Sequence, residues 1–185
     1  MKKYEFTGET KTVSFLSGDV TLHRIQAITS FASVVAGELG GWIEKEENLS
    51  HKGDAWVSEN AWVSGNAVVS GNAVVSGNAW VSENAVVRGN AVVSGNAMVR
   101  KNAVVSENAE VFSVRHVLVI GPIGSRNAFT TFYHDKDNEI TVQCGCFIGK
   151  IDKFLEKVAQ THGDSKYAQV YRKAVELAKL QILTD

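Results

Sequence analysis

Proline is almost missing from this sequence: Pro122 is the only one among 185 residues, which excludes a Pro-rich linker and a collagen-like chain. Cysteine is nearly as scarce. Cys144 and Cys146 stand one residue apart and support no disulfide framework. No apolar run approaches the ~18 residues of a membrane-spanning helix. The opening MKKYEFTGET has no apolar stretch behind its lysines and does not read as a secretory signal. Excess charge is also lacking: 19 Lys+Arg face 20 Asp+Glu, so there is no basic footprint for nucleic acid. With 44% hydrophobic residues and almost no net charge, the chain is not disordered. These exclusions predict a soluble intracellular protein, without membrane or nucleic-acid partner, built as one domain or two small ones.

What is present is a repeat. From Gly53 to Phe112 the unit G-N-A-x-V-S recurs every six residues without a gap. Ala runs from Ala55 to Ala109 and Val from Val57 to Val111, each at every sixth position. Asn precedes Ala in every unit except the first, where Asp54 stands. A period of six matches no single helix face. It does match short strands of Val joined by tight corners at which Gly and Asn accept left-handed backbone. The period is that of a hexapeptide parallel β-helix.

The pattern resembles the left-handed β-helix family, whose hexad begins with an aliphatic residue and has a small residue four places later, as Val57 and Ala61 do. That resemblance implies three hexads per 18-residue coil. Ile43 and Leu49 extend the Ala series backward at six-residue steps, so GGWIEKEENLSHKG is expected to form a degenerate first coil.

If Val and Ala point inward, the residue before each Val points outward. That position holds Trp56, Trp62, Val68, Val74, Trp80, Val86, Val92, Met98, Val104 and Glu110, nine of ten of them apolar. Three such faces exceed what a monomer exposes. The leading expectation is a homo-oligomer, a trimer in view of the resemblance, with Trp56, Trp62, Val68, Val74, Trp80, Val86, Val92, Met98 and Val104 at the interface. The alternatives are coverage by the chain's own ends and a foreign partner.

The flanks divide the chain further. Residues 1–40 alternate as two strands, YEFTGETKTVSFL and DVTLHRIQAI, followed by a loop through GELGG, and read as an N-terminal β cap. Residues 41–112 are the β-helix. Residues 113–185 read as a β-β-β-α-α module, with strands at VLVI, AFTTFYH and EITVQC. A first helix, IDKFLEKVAQ, puts Ile151, Phe154, Leu155, Val158 and Ala159 on one face. A second follows Ser165. The predicted fold class is therefore mainly β: a left-handed parallel β-helix with an N-terminal β cap and a small C-terminal α+β domain.

Chemistry concentrates in the module. The loop Gly121–Asn127 follows a strand, and its glycines let amides crowd an anion. Gly124, Ser125, Arg126 and Asn127, with Thr130, Thr131 and Tyr133 on the next strand, form the candidate ligand set for a phosphorylated, nucleotide-like molecule. An ordinary Gly-Pro turn with a surface arginine is the competing reading. The loop lacks a Walker lysine. Cys144-Gly145-Cys146 is expected to place both thiols on one face of a strand as buried hydrophobes. One Cys-x-Cys with His134 or His162 is too little for zinc. No metal or cofactor is therefore expected. Many proteins of the left-handed β-helix family are acyltransferases, and the resemblance implies a catalytic His and a loop excursion. The hexads here run uninterrupted and contain no His, so no catalytic residue is assigned.

The whole arrangement resembles a family of phage and prophage proteins, through LHRIQAI, GELGGWIEKEENLS, the GNAxVS coils and GPIGSR…TTFY…CGCF. The resemblance supplies no biochemical activity by itself; the apolar outer ladders and the absence of an acid–base pair lead to the expectation of a non-catalytic binding protein, and small phage proteins of that kind are often counter-defence factors. Such a protein sequesters a signalling nucleotide or blocks a host defence protein. The alternatives are a hexapeptide-repeat acyltransferase and a structural phage spacer.

Overall fold

The computed structural model describes residues 2–16 and 18–182, so the last three residues of the expected module lie outside it. Strands β1 (Tyr4–Phe15) and β2 (Gly18–Ala27) form an antiparallel hairpin. Strand β3 (Leu39–Ile43) pairs with β2 on one side and opens the coil on the other. The described residues then contain ten two-residue rungs, β4 to β13, from Trp56–Val57 to Glu110–Val111. The chain closes with an antiparallel sheet of β14 (Val117–Ile123), β15 (Ala128–His134), β16 (Ile140–Cys144) and β17 (Phe147–Lys150), backed by helices α1 (Ile151–His162) and α2 (Lys166–Gln181). The last of these strands was not anticipated, because four residues broken by Gly149 carry too little alternation to read.

The rungs stack in parallel at an 18-residue separation. Trp62, Trp80 and Met98 share one face; Trp56, Val74, Val92 and Glu110 the second; Val68, Val86 and Val104 the third. Backbone amides bond along the coil axis: Trp56 N–H donates to Ala73 O, Trp62 to Ala79 and Val68 to Ala85, at 2.9–3.0 Å. Every inner Val from Val57 to Val111 and every Ala from Ala55 to Ala109 is fully buried. The hexad thus forms a strand where Val lies flat against the core and a corner where Ala leaves room for the chain to turn.

At the corners the backbone is left-handed. Gly65, Gly77 and Gly89 take it without strain, and a Cβ at Gly77 would lie 2.8 Å from the Gly95 amide of the next coil. The Asn that follows does more than tolerate the turn. Each side-chain amide donates to the Asn one coil on, giving three ladders: Asn60–Asn78–Asn96, Asn66–Asn84–Asn102 and Asn72–Asn90–Asn108, at 3.1–3.4 Å.

The first coil departs from the expected register. Ile43 pairs with Val63 and Leu49 with Val69, so both occupy the Val position rather than the Ala position. The separation there is 20 residues, while Trp56 is back at 18 from Val74. The two extra residues lie between Leu49 and Trp56. Gly40 and Gly41 belong to β3 instead of a loop. A Cβ on Gly40 would stand 2.6 Å from the Ile25 side chain, and one on Gly41 2.6 Å from Ala61 O.

Both ends of the coil are closed. At the start, Tyr4 is buried and its hydroxyl donates to Glu46 O and Leu49 O, while Lys3 Nζ donates to Gly53 O and Ala55 O. Asn48, also buried, fills the first corner by donating to Gly65 O and Ala67 O. At the far end, Val117, Val119 and Tyr133 of the module sheet pack on the coil's core. Thr131 Oγ1 accepts from Val104 N–H, and Lys136 N–H donates to Asn108 O.

The N-terminal segment also covers two outward ladders in part, which narrows the expected interface. Trp56 is only 3% exposed, packed edge-on against Tyr4 and Phe31. Trp62 and Trp80 stack on each other at 4.6 Å, and Phe15 of the long β1 reaches both, at 5.9 and 5.4 Å. Arg100 lies over Trp80, and Lys11 and Arg24 over Trp42. These indoles are therefore packed in large part against the chain's own residues. The Val68–Val86–Val104 ladder is partly exposed, with Thr131 of the module bonded to the Val104 amide at its far end, and Val74 and Val92 are partly exposed on the second face.

Inner and outer positions should respond very differently to truncation. Val87→Ala removes two buried carbons in the middle of the coil and is expected to cost about 2 kcal/mol in urea unfolding. Its exposed neighbour Arg88→Ala should change stability by less than about 0.5 kcal/mol. Equal effects would contradict the inward valine.

Candidate functional site

The side chains best placed to meet a ligand line a cavity of about 280 Å³ within the C-terminal module. The β14–β15 loop contributes Ser125 and Arg126, β16 ends on Cys144, and the tight turn Gly145-Cys146 leads into Phe147 of β17. Helix α1 adds Phe154, Lys157, Val158, Thr161 and His162 at i, i+3, i+4, i+7 and i+8, and α2 adds Tyr171. A shallower depression of about 400 Å³ near Lys150 is lined by both signs of charge, Glu139 and Asp152 with Lys150 and Lys179, and has no aromatic wall. The smaller cavity joins ring-bearing walls to Arg126 and Lys157, and among the described residues no carboxylate lines it.

Gly124 shapes this cavity without lining it. Its φ is +73°, and a Cβ there would fall 1.9 Å from the Tyr171 hydroxyl oxygen. Tyr171 is buried, and that burial, with the neighbouring Cys144, pushes its hydroxyl up to about 12, so it stays a neutral donor at pH 7. Thr130 Oγ1 donates to Cys144 Sγ at 3.3 Å, and Cys144 Sγ stands 3.8 Å from Tyr171 Oη.

The expected ligand set is therefore split. Ser125 and Arg126 line the cavity, Gly124 supports it, and Asn127 is exposed outside it. Thr130 is buried behind Cys144. Thr131 and Tyr133 are buried on the opposite face of β15, against the coil, with the Tyr133 hydroxyl 3.3 Å from Ser106 Oγ. Alternation along a strand sends residues 131 and 133 away from residue 130, so those two cannot share its ligand. Phe147, Lys157, His162 and Tyr171 were not in the expected set; in the sequence Tyr171 reads as an apolar position of the second helix and His162 as part of the first helix's stop. Cys146 is exposed in the turn and Cys144 half-buried at the strand end, so the thiols do not share a strand face, although both line the cavity.

Among the described residues, no three His, Cys, Asp or Glu side chains group so as to hold a metal ion. The histidine nearest the repeat, His51, is already engaged. Its Nδ1 accepts from Lys3 N–H, its Nε2 faces Glu46 Oε1 at 2.8 Å, and its ring stacks on Tyr4. His134 likewise uses both nitrogens, toward Glu110 O and Asn138 Oδ1. Among the described residues, no helix is long and apolar enough to cross a membrane.

The YdcK beta solenoid repeat family matches residues 61–77 and 67–83, wholly within the coil. Over 61 residues the chain is 36% identical to the "Uncharacterized acetyltransferase YdcK" of Escherichia coli (strain K12). That stretch covers 31% of this chain and 19% of that protein, so the chain spans about a fifth of the relative's length. With the stacked rungs, these likenesses support a hexapeptide-repeat β-helix. The cavity residues lie outside the matched family segments.

Beside the junction with the coil, where Asp135 bridges to Ala109, the module holds an ion cluster centred on the buried Asp135. Asp135 accepts from Thr141 Oγ1, from the Asp137 amide and from Lys150 Nζ at 2.6 Å. Burial pushes its carboxyl up, but the bonds from Lys150, Thr141 and Asp137 outweigh this and hold it below the usual carboxylate range. Its folded-state value is depressed, so the stability it adds is full above the unfolded value of about 4 and disappears as pH falls through the folded value. Wild type should melt a few degrees above Asp135→Asn at pH 6, at about 2–4 °C per kcal/mol for this size, and the two should converge near pH 2. Coincident melts at pH 6 would remove the cluster from the account.

Proposed function

We propose that this chain is a non-catalytic binding protein, in which the β-helix is scaffold and assembly surface and the module cavity captures a small phosphorylated anion. The observation that carries this reading is the cavity lined by Arg126, Lys157, Ser125 and the Tyr171 hydroxyl, with no carboxylate among its described lining residues. Arg126 and Lys157 are exposed, so their charge meets an anion at the mouth, while Tyr171 offers a hydroxyl deeper in. The resemblance to phage proteins adds the finer role: removal of a host signalling nucleotide, or occlusion of a host defence protein. Titration calorimetry with a panel of nucleotide signals should give binding that weakens at least tenfold in Arg126→Ala; silence across the panel ends the capture reading.

Assembly is the second half of the proposal. The Val68–Val86–Val104 ladder offers an uncharged, β-branched strip that fits a second and third copy of the same chain around a closed axis. Mass photometry should report a species larger than one chain that dissociates in Val86→Glu. A monomer at all concentrations would confine the coil to a spacer role.

A second reading rests on the relative named as an acetyltransferase. On that reading the coil belongs to an acyl-transfer enzyme. Turnover of an acyl-coenzyme A donor by the purified chain would establish it and displace the non-catalytic reading.

A further inference from the structure

The cavity carries more information than its charge. Four of its lining side chains are rings, and they are arranged as walls. Tyr171 and His162 lie nearly parallel, 5.8 Å apart with 28° between planes. Phe154 meets Tyr171 edge-on at 5.5 Å and 87°, and Phe147 continues the series at 5.4 Å from Phe154. Three of these four, Phe147, Phe154 and His162, belong to β17 and α1, whereas Arg126 comes from the β14–β15 loop and Lys157 is exposed on α1. The ring-lined space of about 280 Å³ lies just under the usual range for drug-sized ligands, about 300–1,000 Å³. Aromatic walls reward a flat partner through offset or edge-to-face contact, and exposed cations reward a charge left at the mouth.

From this geometry we infer that the ligand is a planar aromatic group, one ring or a fused pair, carrying a phosphate, the aromatic group seated among Phe147, Phe154, His162 and Tyr171 and the phosphate held by Arg126 and Lys157. The inference rests on reading this cavity as the ligand site. A phosphate on a flexible chain gains nothing from the ring walls, and a free phosphate gains only the cations. Two sources share the required chemistry, a mononucleotide and an aryl phosphate, and they differ in whether a sugar links ring to phosphate.

The test uses the full chain and four probes: inorganic phosphate, octyl phosphate, phenyl phosphate and adenosine monophosphate. Two readouts run in parallel, calorimetric affinity and the rate at which iodoacetamide alkylates Cys146, an exposed thiol on the cavity lining. At least one ring phosphate is expected to bind tenfold or more tighter than both inorganic and octyl phosphate and to slow Cys146 alkylation. Phe147→Leu should weaken ring phosphates about tenfold and leave inorganic phosphate unchanged. Thr161→Trp, at an exposed lining position on α1, should block the cavity without touching the core and abolish both effects. Preference for adenosine monophosphate assigns the nucleotide source, and preference for phenyl phosphate the aryl one. If inorganic or octyl phosphate binds as tightly as the ring phosphates, the ring is overturned while anion capture stands. If no probe binds or protects Cys146, both fall.

Discussion

The hydrogen bonds that run along the coil axis govern the rest of this molecule. A rung only two residues long has no stability of its own, so each amide depends on the carbonyl of the neighbouring coil. That dependence demands identical geometry at every level, and identical geometry admits few residues: Val against the core, Ala where the chain turns, and Gly or an exposed Glu or Lys at left-handed corners. Asn extends the same bonding to the side chains at all three edges. A stack of this kind has two unpaired ends, and unpaired strand edges recruit other chains. Both are occupied here, one by Lys3 and Tyr4, the other by the sheet of the C-terminal module.

The module therefore serves two neighbours with two faces of one sheet. On β15, Thr131 and Tyr133 turn toward the coil, while Thr130 and Phe132 turn toward the helices and the cavity. The same alternation runs along β14, where Val117 and Val119 join the coil's core and Leu118 and Ile120 the helical one. The cavity is thereby fixed to the scaffold through a layer one strand thick, and Asp135 with Lys150 pins that layer at its edge.

Most of the coil was legible because a strict period leaves one solution. The 18-residue pairing of Trp62 with Trp80, and of Val68 with Val86, follows directly from it. Where the period loosens, reading fails. Two extra residues between Leu49 and Trp56 shift Ile43 and Leu49 by one register class, and nothing local marks an insertion inside an already degenerate unit. The cover over Trp62 and Trp80 was one of several alternatives, because Phe15 reaches them across the fold and no spacing encodes that contact. Of the site, the loop with Ser125 and Arg126 was legible from its polar density. Tyr171 and His162 were not, since α1 and α2 bring them to the cavity from residues that look like ordinary helix faces. Thr131 and Tyr133 were misplaced because it takes knowledge of both flanking layers to decide which face of a strand looks outward.

Three faces to a coil have an angular consequence. Inserting or deleting 18 residues would lengthen or shorten the shaft by one storey and keep the bearing of the C-terminal module relative to the β1–β2 hairpin. A change of six or twelve residues would swing the module by one or two faces around the shaft, turning the mouth of its cavity relative to the hairpin. In this architecture repeat number acts as a compass setting as well as a length, and only whole storeys preserve the bearing.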